Sequence, residues 1–153
     1  MRTFRILIII FFSSFFTHSV LAANRDSIVT YSKKFLGVKY KYAQSNPKKG
    51  FDCSGFVYYV FTHFNVPVPR NSREFLKHGK VVSPDLCEPG DIIVFTGTKI
   101  KDRNPAHVGI VVSGTGENIT FIHSSSGKKN AVVISSFKKS PSYKKRMINI
   151  VRY

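Results

Sequence analysis

The sequence predicts a single α+β domain, with helices in its first half and an antiparallel sheet in its second. Apolar residues recur at helical spacing up to residue 79, and short apolar runs typical of strands follow. Turn residues at Pro84 and at Pro89-Gly90 mark the change between the two patterns. The 153 residues suit one core of ordinary size, and we find no repeat or linker that would divide the chain.

Residues 1–22 have the pattern of an export signal. Arg2 and Arg5 form a basic start, an apolar run covers residues 6–16, and small residues then allow cleavage after Ala22. The apolar run is short for a membrane span of about 20 residues, which favours a cleaved signal over an uncleaved anchor. We therefore expect a mature domain at residues 23–153 that is exported to the periplasm or secreted.

The first half of the domain predicts three helices, over residues 24–36, 54–64 and 71–78. Asn24 or Asp26 can cap the first helix and Gly37 ends it, while residues 37–52 form a loop. The second helix is apolar enough to be buried. The apolar face of the first helix comprises Ile28, Tyr31, Phe35 and Leu36.

The second half predicts an antiparallel sheet of about five strands. The turn-forming segment Gly114–Asn118 joins the second and third strands as a hairpin. The expected strands cover residues 91–95, 107–112, 119–123, 131–135 and 146–151.

The chain is strongly basic, with 24 Lys and Arg against 8 Asp and Glu and a formal net charge of +16. Two of these bases belong to the signal, so the mature domain has 22 bases against 8 acids, a net charge of +14. The bases are scattered in pairs and accompany no nucleic-acid motif, which argues against nucleic acid as a partner. They indicate a solvated basic surface or, outside the cytoplasm, attraction to an anionic cell envelope.

Only two cysteines are present, and neither lies in a CxxC or another metal-binding spacing. A Cys53–Cys87 disulfide stays possible in an oxidising compartment, but we favour free thiols. Cys53 opens the second helix, where unpaired amides and the helix dipole favour a thiolate. We expect no metal and no cofactor, since a zinc site built on Cys53 and two histidines would need a further ligand or an open position.

Two histidines fall on neighbouring predicted strands. His107 begins one strand and His123 lies near the end of the next. A hairpin centred on residue 115 would place them opposite each other, about 5 Å apart. His107 would then accept the thiol proton of Cys53, and His123 would orient the His107 ring. The alternative is that Cys53 is a small core residue and that both histidines are structural.

Six motifs follow one another along the chain: Tyr40-x-Tyr42 and residues 50–57 (GFDCSGFV), 68–72 (VPRxS), 89–95 (PGDIIVF), 106–110 (AHVGI) and 121–124 (FIHS). In this order they resemble the NlpC-type family of papain-like cell-wall endopeptidases. The resemblance runs from about residue 28 to the C-terminus, and its most specific parts are Asp-Cys-Ser-Gly-Phe and His-Val-Gly-Ile.

The resemblance implies a papain-like fold, with the nucleophile helix packed on the sheet. It implies hydrolysis of a peptide bond in peptidoglycan stem peptides, typically between D-γ-glutamyl and a diamino acid. Cys53 would be the nucleophile, His107 the general base and His123 the orienting residue. Substrate or oxyanion contacts are implied for Tyr40, Asp52, Ser54 and Arg70.

Structural roles are the alternative for these supporting residues, because Asp52 can cap the helix, Tyr40 can be a core aromatic and Arg70 a surface charge. The chain also departs from the family where relatives often have an aromatic and two glycines, since it has Tyr42-Ala43-Gln44. That loop should border the cleft. An amidase or acyltransferase on the same fold, or a non-catalytic wall-binding module, remains an alternative. We expect a monomer.

Overall fold

The computed structural model describes residues 25–98 and 100–153. The expected signal at residues 1–22, its cleavage site and the Asn24 cap lie outside these residues. Within the described ranges, no helix combines the length and the hydrophobicity needed to cross a membrane.

The predicted helices and strands occur in the expected order, and the structure adds a helix that was not predicted between the last two strands. Helices α1 to α4 cover residues 25–33, Cys53–His63, Phe75–His78 and Pro141–Arg146. Strands β1 to β4 cover Ser45–Asn46, Gly50–Phe51, Lys80–Val82 and Ile92–Thr96, and strands β5 to β8 cover Pro105–Ser113, Thr120–Ser125, Ala131–Ser136 and Met147–Arg152. Short 3-10 turns cover Ser72–Glu74, Pro84–Leu86 and Gly116–Asn118.

The main sheet has six strands in the order β3-β8-β4-β5-β6-β7, and all neighbours are antiparallel. The α+β class is therefore confirmed, but the expected number of about five strands omits β3. That strand has three residues and pairs with β8 at the edge of the sheet. Its side chains are exposed or half-buried, so it lacks the apolar run that identifies a strand in a sequence. Strands β1 and β2 form a small hairpin inside the predicted loop.

The sheet has an apolar core on each face. Because side chains alternate between the faces of a strand, β4 contributes Ile92 and Val94 to one core and Ile93 and Phe95 to the other. Helices α1 and α2 cover the first core, which contains Ile28, Phe56, Val57, Val60 and Phe61. Tyr143 of α4 packs against the second core, which contains Val111, Phe121, Phe137 and Ile150.

A buried carboxylate ties the ends of the domain together. Asp91 is 1 % exposed and accepts hydrogen bonds from Arg25 at 3.0 Å and from Arg152 at 2.8 Å. Arg25 lies in α1 and Arg152 ends β8, so this pair of contacts links the first helix to the last strand. The first helix ends at residue 33, earlier than predicted, so Leu36 is not part of its apolar face but lies in the following turn, 47 % exposed.

Candidate active site

The local sequence fixes where the second helix begins. Asp52 is the N-cap of α2, and its side chain accepts the backbone N–H of Gly55 at 2.6 Å. The preceding residue is held to the sheet, because the Ser124 hydroxyl of β6 donates to the Phe51 carbonyl at 2.7 Å. Cys53 is therefore the first residue of the helix. The Ser124–Phe51 hydrogen bond places it relative to β6, and its own contact with Ala106 places it relative to β5.

The sulfur of Cys53 lies against the backbone of β5. It donates to the Ala106 carbonyl at 3.9 Å, and the backbone N–H of Val108 is close enough to lower its pKa. Burial is the larger effect and raises the pKa of this thiol, with the charge of Asp52 acting in the same direction. The backbone N–H groups at the helix start lower the pKa of the thiol, as predicted, but desolvation outweighs them and the net shift is upward.

The His107 and His123 side chains are in contact, although the predicted register between β5 and β6 is wrong by two residues. The structure pairs Ile110 with Ile122, which places Gly109, rather than His107, opposite His123. The turn contains a 3-10 segment, and a bulge follows Val111, so the centre of the hairpin moves from residue 115 to 116. His107 and His123 still share a face of the sheet, because a shift of two residues preserves it.

Gly109 makes room for the histidine pair. A Cβ atom at this position would lie 3.1 Å from the Cβ of His123 and 3.0 Å from the Phe121 ring. Without that side chain, the rings of His107 and His123 approach edge to face, with centroids 4.9 Å apart. The glycine of the His-Val-Gly-Ile motif therefore serves the packing of the two rings.

A chain of hydrogen bonds runs from His107 through His123 to β7. His107 Nε2 lies 2.9 Å from His123 Nδ1, and His123 Nε2 lies 3.0 Å from the Ser135 hydroxyl. Because Nε2 of His107 is engaged, Nδ1 is the ring atom left to meet a thiol. Ser135 was not identified from the sequence. Only the register between β6 and β7, which pairs His123 with Val133, places Ser135 on the same face as His123.

Both imidazoles are neutral near pH 7. Burial lowers the pKa of His107 well below its usual value, and the neighbouring His123 and Arg146 lower it further. Burial followed by Arg146 lowers the pKa of His123 to about 4. The Arg146 guanidinium is held beside the pair by two hydrogen bonds to the Thr96 carbonyl, at 2.9 and 3.2 Å. A neutral ring can accept a proton from a neutral thiol, which suits general-base chemistry.

A cleft of about 590 Å³ opens over the thiol. Arg73 lines this cleft and was not identified from the sequence as a candidate site residue. Its guanidinium adds a positive charge to the wall, whereas the charges of Asp52 and Arg70 offset each other. The lining includes Tyr40, Asp52, Cys53, Ser54, Arg70 and Arg73.

Three of the predicted substrate residues form one network. The Arg70 guanidinium donates to Asp52 Oδ2 at 2.7 Å, to Asp52 Oδ1 at 2.9 Å and to the Ser54 hydroxyl at 3.0 Å. The carboxylate of Asp52 thus has two tasks, because it caps α2 and pairs with Arg70. Asp52 is 8 % exposed and Ser54 is 6 % exposed, so Arg70 is the member with the largest free surface.

Tyr40 lines the same cleft as Cys53. A backbone bridge pairs it with Phe51, one residue before the cap. Burial raises the pKa of the Tyr40 phenol, and the negative charges of Cys53 and Asp52 raise it further. The phenol therefore stays protonated and can donate a hydrogen bond into the cleft.

The loop that departs from the family pattern contacts the start of α2. Ala43 has a φ of 58°, the left-handed conformation that a glycine adopts without strain. The next residue, Gln44, accepts the Asp52 N–H at 2.9 Å, and a Cβ atom on Gly55 would lie only 2.1 Å from the Gln44 carbonyl. The loop thus keeps a glycine-like conformation with an alanine, and Gly55 is required by the close approach of its backbone.

The remaining cysteine is separate from this site. Cys53 and Cys87 are both free thiols, so the alternative of a disulfide between them is not realised. Cys87 belongs to the second core and donates to the Gly114 carbonyl at 3.5 Å. In the described part of the chain, no group of three or more His, Cys, Asp or Glu side chains is placed to hold a metal ion.

The family profile of NlpC/P60 proteins matches residues 37–152, which include the whole of this site. The chain belongs to the NlpC/P60 family. Among NlpC/P60 relatives of known structure, a family protein from Bacillus cereus ATCC 10987 superimposes with a TM-score of 0.73 at 27 % identity, over 84 % of this chain and 40 % of that one. The papain-like α+β expectation agrees with this similarity.

Two curated relatives show what members of the family do. The chain is 36 % identical over 115 residues to γ-DL-glutamyl hydrolase of Bacillus subtilis strain 168, which is 75 % of this chain and 26 % of that protein. It is 37 % identical over 111 residues to murein DD-endopeptidase MepS/murein LD-carboxypeptidase of Escherichia coli K12, which is 72 % of this chain and 53 % of that one. The chain thus spans between about a quarter and about half of the length of these relatives.

Proposed function

We propose that this protein is an exported cell-wall hydrolase that cleaves a peptide bond in peptidoglycan stem peptides, between D-γ-glutamyl and a diamino acid. The observation that carries the proposal is the 2.9 Å contact between Nε2 of His107 on β5 and Nδ1 of His123 on β6, because β5 is also the strand whose Ala106 carbonyl accepts from the Cys53 sulfur. It leaves a neutral base beside a thiol at the head of a helix, as nucleophilic catalysis requires.

In the proposed reaction, the sulfur of Cys53 turns from the Ala106 carbonyl towards His107 Nδ1. The ring takes the thiol proton as the sulfur attacks the γ-carbonyl carbon, which gives a tetrahedral oxyanion. The backbone N–H of Cys53 and the phenol of Tyr40 are the donors for that oxygen. His107 then gives its proton to the leaving amine, a thioester forms, and water activated by the same ring hydrolyses it.

The charges of the cleft support a substrate that carries a carboxylate. Asp52 and Arg70 neutralise each other, so Arg73 leaves the lining with a positive charge. A γ-linked glutamyl residue keeps its α-carboxylate free next to the scissile bond. In the proposed complex the free edge of Arg70 and the guanidinium of Arg73 attract that group, while Asp52 and Ser54 border the remainder of the stem peptide.

The signal expected at residues 1–22 supports export to the compartment in which peptidoglycan, the proposed substrate, is found. The basic surface adds electrostatic attraction to the anionic cell envelope, and this attraction should weaken with salt. The catalytic reaction itself needs no cofactor, since the thiol and the two imidazoles supply nucleophile, base and acid.

Digestion of purified peptidoglycan, followed by mass analysis of the fragments, tests the proposal. Release of disaccharide-dipeptides is the expected result. Conversion of cross-linked dimers to monomers would indicate a DD-endopeptidase, loss of a terminal D-alanine an LD-carboxypeptidase, and free sugar with intact stem peptide an amidase. Each of these three results would overturn the proposed bond.

The matched controls are Cys53→Ser, which removes the nucleophile, and Cys87→Ser, which removes the other thiol. We expect Cys53→Ser to lose at least about 10³-fold in rate while Cys87→Ser keeps the wild-type rate. A Cys53→Ser protein that digests the wall at the wild-type rate would show that the nucleophile is misassigned. A wild-type protein that binds peptidoglycan but releases no fragment would identify a wall-binding module instead.

A further inference from the structure

Ser135 lies behind the histidine pair on β7 and has no part in the bond-forming steps described above. Strands β6 and β7 pair His123 with Val133 and Phe121 with Ser135, so Ser135 is a diagonal neighbour of His123 on the same face. Its hydroxyl oxygen lies 3.0 Å from His123 Nε2. Resting on the proposed function, we infer that Ser135 is a positioning residue, which accepts the His123 Nε2–H and thereby sets the tautomers of both histidines.

Among the described residues, Ser135 is the acceptor available to the Nε2–H of His123. The His123 ring is 0 % exposed, and among the described residues its hydrogen bonds are to His107 and Ser135. Its other close neighbours are the rings of Phe121 and Tyr143, with centroids 5.0 and 5.1 Å away. A buried N–H without an acceptor is costly, so the Nε2–H form of His123 depends on the Ser135 oxygen.

The direction of the hydrogen bonds decides whether His107 can act as a base. A neutral imidazole carries one N–H. If His107 holds it on Nε2, it donates to His123 Nδ1 and keeps Nδ1 free for the thiol proton. His123 must then hold its own hydrogen on Nε2 and donate it to Ser135. In the reverse direction the Ser135 hydroxyl donates to His123 Nε2, and His123 Nδ1–H donates to His107 Nε2. His107 then carries its hydrogen on Nδ1, so this nitrogen cannot accept the thiol proton.

The position of Ser135 favours the productive direction. Its side chain lines a groove of about 520 Å³ on the outer side of β7, together with Lys128 and Lys139. Because Ser135 is half-buried, its hydroxyl hydrogen can be donated to water in this groove while its oxygen accepts from His123. When His107 becomes an imidazolium during the reaction, the same bonds hold its Nε2–H on His123. Ser135 and His123 keep their own protons throughout.

The test compares Ser135→Ala with Ser135→Thr, which restores a hydroxyl. Ser125→Ala is the matched control, because Ser125 lines the same groove but accepts a hydrogen bond from Gly127 instead. The primary measurement is the tautomer of each histidine from long-range proton–nitrogen NMR, which requires no substrate. We expect the Nε2–H form for His107 in the wild type and in Ser125→Ala, and a mixture of forms in Ser135→Ala.

With peptidoglycan, Ser135→Ala should lower kcat about tenfold and leave KM within about twofold, and Ser135→Thr should recover most of the rate. The acid limb of its kcat/KM profile should move to lower pH, because the His107 imidazolium loses support. The titratable and charged groups facing the pair are Tyr143 and Arg146 of α4, and Cys53 of α2 contacts the β5 backbone next to His107; none of the three is substituted in these variants.

An unchanged His107 tautomer and kcat in Ser135→Ala would overturn the inference, as would a loss of stability with no change in tautomer or pH profile. If the wild type released no fragments from peptidoglycan, the proposed function would fail. The tautomer measurement would still decide the role of Ser135, so the two failures are distinguishable.

Discussion

Replacing Arg70 by methionine should destabilise the domain, because it leaves the Asp52 carboxylate buried without its partner. The guanidinium donates three hydrogen bonds between 2.7 and 3.0 Å to Asp52 and Ser54, and Asp52 is 8 % exposed. Breaking a fully buried ion pair in this way costs about 3–5 kcal/mol. The Arg70 side chain is 37 % exposed, so solvent screens part of the remaining charge, and the cap on Gly55 is retained. We therefore expect a loss of about 2 kcal/mol.

Urea unfolding of a double-mutant cycle measures this cost. Asp52→Asn keeps a capping side chain and removes the charge, so the double variant should be more stable than Arg70→Met alone by about 1 kcal/mol. Arg73→Met is the matched control, because Arg73 lines the same cleft with an exposed side chain, and it should change stability by less than about 0.5 kcal/mol. Arg70→Met unfolding at the wild-type urea concentration, or additive effects in the cycle, would refute this reasoning.

Three further predictions concern protonation and backbone strain. Arg146→Gln should raise the pKa of His107 and of His123, because the guanidinium charge contributes to lowering both. The acid limb of kcat/KM then moves to higher pH, and an unmoved limb would contradict the assignment. Alkylation of Cys53 by iodoacetamide should keep accelerating beyond about pH 9, since burial raises its thiol pKa; a plateau by pH 7 would mean a resting thiolate. Ala43→Gly should stabilise the domain by about 0.5–1 kcal/mol in urea unfolding, because φ is 58° there, and a loss of stability would contradict it.

Local patterns were sufficient to predict the elements that hold the candidate catalytic side chains. The start of α2 depends on a capping Asp52 followed by an apolar run, and both are adjacent in sequence. The strands that carry His107 and His123 are apolar runs bounded by glycine turns. The prediction that both imidazoles lie together survives because an error of two residues in register leaves them on one face.

Properties that arise from distant contacts could not be predicted in the same way. Ser135 is identified only after β6 and β7 are aligned, and the sequence does not fix that register. The direction of the pKa shift of Cys53 depends on how deeply β5 buries the sulfur, which competes with the favourable helix end. The strand β3 has no apolar run and exists because β8 offers it an edge.

The site is built across one strand rather than within one pocket. Cys53 packs with the first core, whereas the rings of His107 and His123 lie against Phe95 and Phe121 of the second. Strand β5 belongs to both cores, and the thiol contacts its backbone on either side of His107, at Ala106 and Val108. The candidate nucleophile therefore contacts the same short stretch of β5 that carries the candidate base. Because two apolar cores hold that strand from opposite faces, the strand itself positions the proposed catalytic groups, and the thiol of the resting protein donates to the Ala106 carbonyl.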